Sequence, residues 1–231
     1  MHDAVVDVEM FLDVSCPWCH GALDTNRRVL DEIAADPSLP KIRVHWKFLR
    51  LHGELPIPAL TVAEYTATYT SDPEQQQAMH DSVLSFTASV GHTVNYDRYR
   101  VVHDPLLAHA LLAAVRDDAG LDLPDLWHLA RVVFDANFLF GVDITDQGEL
   151  RAAVETAGLL LPGRIWSAIA DHGYDDVTRR DRQHAIDVGL DGVPRMRVGG
   201  VIVPTWVDQH EVRTRLRDAL TAAVGEQHAP A

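Results

Sequence analysis

The stretch Phe11-Leu12-Asp13-Val14-Ser15-Cys16-Pro17-Trp18-Cys19-His20 holds both cysteines of the chain, spaced as Cys-x-x-Cys. It lies where an apolar run (Val5, Val6, Val8, Met10, Phe11, Leu12, Val14) gives way to a helical pattern, with Ala22, Leu23, Val29, Leu30, Ile33 and Ala34 along one side. The spacing predicts a strand that ends in two cysteines at the mouth of a helix. There the unpaired N–H groups and the positive end of the helix dipole favour a thiolate over a thiol. Cys16, at the very start, feels this field most. Cys19, one turn further in, is better shielded from solvent. Pro17 suits the first helical turn, where no N–H partner is needed. The pair can therefore cycle between dithiol and disulfide, with Cys16 as the attacking sulfur.

Duller uses of the two cysteines fit less well. A structural pair is ordinary for buried cysteines, yet two at this spacing on a strand–helix junction are rarely inert. Zinc needs about four ligands, and these are the only two thiols, so no metal is expected. Cys16-Pro17-Trp18-Cys19-His20 formally matches a haem-attachment pattern, but a helix that starts directly after a buried strand leaves no room for a porphyrin.

The 231 residues, 47% hydrophobic, suit one elaborated globular domain or two small ones. A net charge of −14 argues against nucleic acid or an anionic membrane as partner. The thirteen histidines are scattered without ligand spacing. No apolar run approaches the roughly 18 residues of a membrane span. Met1-His2-Asp3 is not basic, and Asp7, Glu9 and Asp13 interrupt the first apolar segment, which therefore reads as a strand and not a signal peptide. A cytoplasmic location is expected, where thiols stay largely reduced and a lone Cys-x-x-Cys reads as redox chemistry.

Further along, Lys41 to Phe48 alternates Ile42, Val44, Trp46 and Phe48 against Arg43, His45 and Lys47, a second strand joined to the first by a right-handed parallel crossover. Leu55-Pro56-Ile57-Pro58 reads as a stiff connector. Helix signals then follow one another: a capping box at Thr61-Val62-Ala63-Glu64, Asp72-Pro73, Asp104-Pro105, Asp122 to Pro124, Asp146-Gln147-Gly148-Glu149 and Pro162. Stops fall near Gly91, Gly120, Gly141, Gly158 and Gly173, so the middle of the chain reads as helical throughout. Val177 to Val188 reads as another helix. Arg195–Val198 and Val201–Val203 read as a hairpin around Gly199-Gly200, with Pro204 confining the second strand to an edge. Asp208-Gln209-His210-Glu211 caps a last helix, and residues after Gly225 read as loose. The two ends must meet to complete one sheet.

With Gly192-Val193-Pro194 set beside the cysteine motif, the chain resembles the DsbA-like group of the thioredoxin superfamily, and within it the cytoplasmic FrnE-type branch. Asp13-x-x-Cys16-Pro17-Trp18-Cys19, Phe138-x-x-Gly141-x-Asp143-Ile144-x-Asp146 and the Gly-Val-Pro segment carry the resemblance. It implies an α/β, thioredoxin-like fold with a long all-helical insertion: residues 1–60 and 176–231 form the thioredoxin-like part and 61–175 the insertion. It further implies a cis Val193–Pro194 bond facing the cysteines, with the Val193 backbone offered to an extended substrate. Trp18 stands where strongly oxidising relatives usually carry histidine, so an extreme oxidant is not expected. Asp13 either relays the Cys19 proton or holds the turn. Arg195 stabilises the Cys16 thiolate or an anionic substrate, or else points into solvent. Phe138 and Trp206 either wall the groove or fill the core. The function implied is a thiol–disulfide oxidoreductase acting on a disulfide- or dithiol-containing protein or small molecule, without a tightly bound cofactor and with a low-molecular-weight thiol as a possible co-substrate. Two alternatives stand beside it: a thiol-dependent isomerase or transferase on the same scaffold, and a non-enzymatic redox sensor or holdase.

Overall fold

The computed structural model describes residues 4–51, 59–118, 123–170 and 174–227. Strand β1 (Val5–Leu12) leads into helix α1 (Pro17–Ala34) and strand β2 (Lys41–Phe48). A short β3 (Leu60–Thr61) precedes α2 (Val62–Ala67) and α3 (Pro73–Ser89), and β4 (Val101–Val102) precedes α4 (Leu106–Asp117). Then come α5 (Leu123–Asp135), a π-helical turn (Ala136–Phe140), α6 (Gln147–Thr156), α7 (Gly163–Ala170) and α8 (Asp175–Asp187). The hairpin β5 (Arg195–Val198) and β6 (Val201–Pro204) and the helix α9 (Gln209–Gln227) complete the chain.

The main sheet has the order β2-β1-β5-β6. β1 pairs in parallel with β2 from Val5↔Lys41 to Leu12↔Phe48, and antiparallel with β5 from Val8↔Val198 to Phe11↔Arg195. The central strand thus joins the two ends of the chain. On one face of β1, Val6, Val8 and Met10 are buried in the main core together with Leu23 and Val29 of α1 and Leu216 and Leu220 of α9. On the other face Phe11 joins Leu49 and Ala185, a small cluster under α8. β6 is the edge strand, as Pro204 requires, since proline cannot donate to a further ladder.

Local chemistry sets the helix starts. Thr61 Oγ accepts the Glu64 N–H while the Glu64 carboxylate accepts the Thr61 N–H. Asp72 and Asp146 cap α3 and α6 through the N–H groups of Glu74 and Glu149. Asp104 accepts the Leu106 N–H at the start of α4.

Several expectations need correction or fall outside the described residues. The middle of the chain is not purely helical: β3 and β4 pair through Leu60↔Val102 and Thr61↔Val101, a ladder too short to leave an alternation in the sequence. Helix α8 starts two residues before Val177, and α9 continues through Gly225 to Gln227. The helix expected to stop at Gly141 widens to a π turn before it ends. The connector Leu55-Pro56-Ile57-Pro58, the stops at Gly120 and Gly173 and the residues after Gln227 lie outside the described residues.

The motif Phe138-x-x-Gly141 now has a physical basis. Gly141 closes the π turn at φ +67°, and a Cβ there would stand 2.3 Å from the carbonyl oxygen of Arg98. Only glycine meets both demands. Asp143 then accepts from Thr145, and Asp146 caps the next helix.

Candidate active site

β1 delivers the chain into the turn Asp13–Ser15, and Cys16 is the residue that caps α1, with Pro17 in its first turn. Both cysteines are free thiols. They are not equivalent. Cys16 is 5% exposed at the helix mouth, and its Sγ lies 4.0 Å from the carbonyl oxygen of Val193, whose bond to Pro194 is cis. Cys19 is wholly buried, and its Sγ accepts the backbone N–H of Asp13 at 3.4 Å. Burial pushes the Cys19 thiol well above its ordinary range, and its hydrogen bond with Cys16 works in the same direction, because a thiol that donates to its partner's sulfur is held protonated.

Asp13 organises the turn. Its Oδ1 accepts the N–H and hydroxyl of Ser15 at 2.8 and 2.9 Å, and its Oδ2 accepts the Leu51 N–H at 2.9 Å, which ties the end of β2 to the cysteine loop. Burial alone raises its carboxyl, but the hydrogen bond and charge of His109 together with these N–H donors outweigh it and leave Asp13 below the usual carboxylate range. Val14 is held from both sides by the helical middle of the chain. Its N–H donates to Nε2 of His109 on α4 at 3.1 Å, and its carbonyl accepts from Asn137 Nδ2 in the π turn at 3.0 Å.

Around the sulfurs, Trp18 packs at a tilt against Phe86 of α3 with ring centres 4.9 Å apart. The approach of α1 to α3 is close: a Cβ on Gly21 would meet the Phe86 ring at 2.6 Å. Tyr65 and Tyr99 also lie within electrostatic reach of Cys16. Burial pushes both phenols up, and the Cys16 charge adds to it. His20, beside Cys19, is sealed between Phe134, Phe138 and His92, and its Nε2 lies 2.9 Å from Asp135. Burial lowers its proton affinity more than Asp135 restores it. Arg131 bridges Asp135 and Asp24 at 2.8 and 2.6 Å, fastening α5 to α1.

Two expected site residues move elsewhere. Phe138 does not wall a groove. It is 0% exposed and packs against His20, Phe134 and Tyr99, because the π turn rotates it inward. Arg195 is neither a free charge nor a solvent-facing one: its guanidinium bonds Asp191 at 3.0 Å and the Pro194 carbonyl at 3.2 Å, and lies 3.5 Å from the Trp206 ring centre. Cys16, Cys19, Asp13, Trp18, Val193 and Pro194 are brought together. Among the described residues no group of three or more His, Cys, Asp or Glu side chains is arranged to hold a metal ion. His109, Asn137 and Tyr99 were missed by sequence reasoning. A histidine inside the apolar run Leu106–Val115 was the one visible signal, and His109 is indeed on the buried face.

A DSBA-like thioredoxin domain matches residues 7–217. The chain belongs to that family. Solved structures agree on the fold of this DSBA-like protein. A probable DsbA oxidoreductase from Streptomyces coelicolor is 24% identical, with 98% of this chain and 92% of that one covered at a TM-score of 0.76. The cytosolic disulfide reductase DsbM from Pseudomonas aeruginosa, solved with GSH, is 14% identical over 97% and 100% of the two chains at 0.60. A 2-hydroxychromene-2-carboxylate isomerase is 14% identical over 96% and 95% at 0.56. No curated protein matches the chain in sequence. The thioredoxin-like fold of this DSBA-like protein thus carries its helical insertion between β2 and α8, and that insertion supplies both side chains that clamp Val14.

Proposed function

We propose that this protein is a cytoplasmic thiol–disulfide oxidoreductase of the FrnE-type branch, working through Cys16 and Cys19. One observation carries the reading: the two cysteines of a single Cys-x-x-Cys differ, Cys16 standing 5% exposed at a helix mouth with its sulfur 4.0 Å from the Val193 carbonyl, and Cys19 wholly buried beneath it with its thiol pushed above its ordinary range. In the reducing direction the Cys16 sulfur attacks a substrate disulfide. That S–S bond breaks, one substrate thiol leaves, and a mixed disulfide forms. Cys19 then loses its proton and attacks the Cys16 sulfur. The second substrate thiol leaves with the bonding pair, so the substrate gains two electrons and the protein is left with a Cys16–Cys19 disulfide.

The Val193 backbone and the Trp18 ring flank Cys16 and receive an extended disulfide- or dithiol-bearing substrate, with Pro194 keeping a donor N–H away from the sulfur. Arg195 serves by fixing the loop through Asp191 and Trp206. Asp13 holds the turn and accepts the Cys19 proton. A low-molecular-weight thiol is the co-substrate that returns the oxidised pair to the dithiol state. This rests on the two-cysteine chemistry, and the solved DsbM with GSH on the same fold supports it.

Reduction of insulin disulfides tests the reading. The wild-type chain is expected to turn over with a thiol reductant, and Cys16→Ser to be inactive. The isomerase reading shares the fold with 2-hydroxychromene-2-carboxylate isomerase. Cys19→Ser separates the two, since redox turnover needs a resolving thiol and isomerisation with a bound thiol does not. A Cys16→Ser chain that reduces insulin at the wild-type rate would end the proposal.

A further inference from the structure

Behind the two sulfurs lies a histidine with conflicting partners. His109 sits near the start of α4, is wholly buried, and stacks on Phe48 with ring centres 5.6 Å apart. Its Nε2 is 3.1 Å from the Val14 nitrogen and 3.4 Å from Asp13 Oδ1. These neighbours ask for opposite states: the Val14 N–H needs a lone pair on Nε2, and the Asp13 carboxylate needs a proton there. Among the described residues Nδ1 has no hydrogen-bond partner. With the ring proton on Nδ1, Val14 is satisfied, a buried N–H is orphaned and a lone pair faces the carboxylate. With a proton on Nε2, Asp13 gains a donor and Val14 loses its acceptor. Neither arrangement satisfies every buried group, and Nε2 stands between the Val14 nitrogen and the Asp13 carboxylate, within reach of both.

We propose that His109 is a positioning residue for the resolving step, acting through Asp13 as the store for the proton that leaves Cys19. This rests on the thiol–disulfide reading above. In the mixed disulfide, the Cys19 S–H bond breaks and the proton passes to Asp13 and on to His109 Nε2. The Cys19 sulfur bonds to Cys16, the bond from Cys16 to the substrate sulfur breaks, and the substrate leaves as a thiolate. The proton is then released to that thiolate or to solvent. The substrate disulfide is the only oxidant needed.

The need for such a store is clear from the site. Cys19 is sealed and strongly holds its proton, while Asp13, whose own N–H touches the Cys19 sulfur, has a carboxylate oxygen 3.4 Å from His109 Nε2 and so joins the sulfur to the imidazole. The other charged or titratable groups around this centre are already engaged or weakly acidic. Tyr99 lies within electrostatic reach of Asp13, and Cys16 donates its backbone N–H to the Asp13 carbonyl. Arg116 lies 5.7 Å from the Phe48 ring centre and is paired with Asp181. Arg50 and Asp104 form an ion pair beside the start of α4.

The test uses reduced full-length protein and 5,5′-dithiobis(2-nitrobenzoate) in stopped flow. Attack by Cys16 releases one thionitrobenzoate, and resolution by Cys19 releases the second. In His109→Gln the amide oxygen can still accept from Val14 but cannot take up a proton. The first release is expected to be unchanged, and the second to slow about tenfold or more near neutral pH and to lose its inflection in the pH profile. A second release unchanged in rate and profile, or both releases slowed equally, overturns the inference. Imidazole nitrogen NMR of the wild-type chain needs no variant. The His109 Nε2 resonance is expected to move between the reduced and oxidised forms, and a stationary resonance overturns the inference. A wild-type chain that never releases the second equivalent would sink the thiol–disulfide reading itself, whereas two normal releases in both chains sink only the role of His109.

Discussion

Asp13→Asn removes one charge and one acceptor from the fully buried turn that carries the cysteines. The carboxylate serves Ser15 on one oxygen and Leu51 on the other. An amide oxygen can serve only one side. Turned towards Ser15 it keeps two bonds, and its NH2 group then faces the Leu51 N–H, donor against donor. Leu51 is 40% exposed, so its orphaned N–H costs about 1 kcal/mol, at the low end of the range. Exchanging charge-assisted for neutral bonds at Ser15 costs about 1 kcal/mol more. His109 loses its carboxylate neighbour, a further cost of about 1–2 kcal/mol, and relief from burying a charge returns part of the total. The expected net loss at pH 7 is about 2–3 kcal/mol, which moves the urea midpoint down by about 1 M. The pH dependence has a definite sign. Burial opposes the charge, but His109 and the N–H donors hold the folded carboxyl below its ordinary value. The wild-type advantage is therefore complete above the unfolded value of about 3.9 and is lost as pH falls through the lower folded value. The two chains should converge in acid. A midpoint shift below about 0.3 M at pH 7, or a gap that persists undiminished well below pH 4, would refute the argument that this carboxylate holds the turn.

Further outcomes follow from the same geometry. In the folded, reduced chain iodoacetamide should label Cys16 and leave Cys19 untouched, as read by peptide mass spectrometry, because Cys16 keeps some exposure at the helix mouth while Cys19 is wholly buried with its thiol pushed up; equal labelling of both contradicts the assigned roles. Gly141→Ala puts a Cβ against the Arg98 carbonyl at a positive φ and should cost about 3–4 kcal/mol, seen as a fall in Tm of roughly 6–12 °C. An unchanged Tm there means that the π turn can relax, which the close backbone approach argues against. Arg195→Ala should loosen the loop around Asp191 and Trp206 and leave the rate of Cys16 alkylation unchanged, since the guanidinium is engaged elsewhere; slowed alkylation would return to Arg195 a direct part in the chemistry.

The sequence by itself determined what acts over a few residues. Two cysteines at the end of an apolar run, followed by proline and a 3.6-residue pattern, already fix a strand–helix joint with one outer and one inner sulfur. Thr61, Asp72 and Asp146 announce their helices because a cap bonds N–H groups only two or three positions away. The pairing of β1 with β5 was legible only as a requirement that the ends meet, and the family resemblance supplied its form. Tertiary structure decided the rest. The Val14 peptide is clamped by His109, 95 positions away, and by Asn137, 123 away, and no local period encodes such partners. Asp13 became the centre of a buried network because β2 brings the Leu51 N–H to it and α4 brings His109. Phe138 went to the core because a π turn, invisible in the apolar pattern, rotated it inward. Arg195 was taken by Trp206, eleven residues on across the hairpin. Hydrogen-bonding caps and hydrophobic period are written in neighbouring residues. The surroundings of a buried charge depend on which distant segments pack against it, and those are chosen by the fold as a whole.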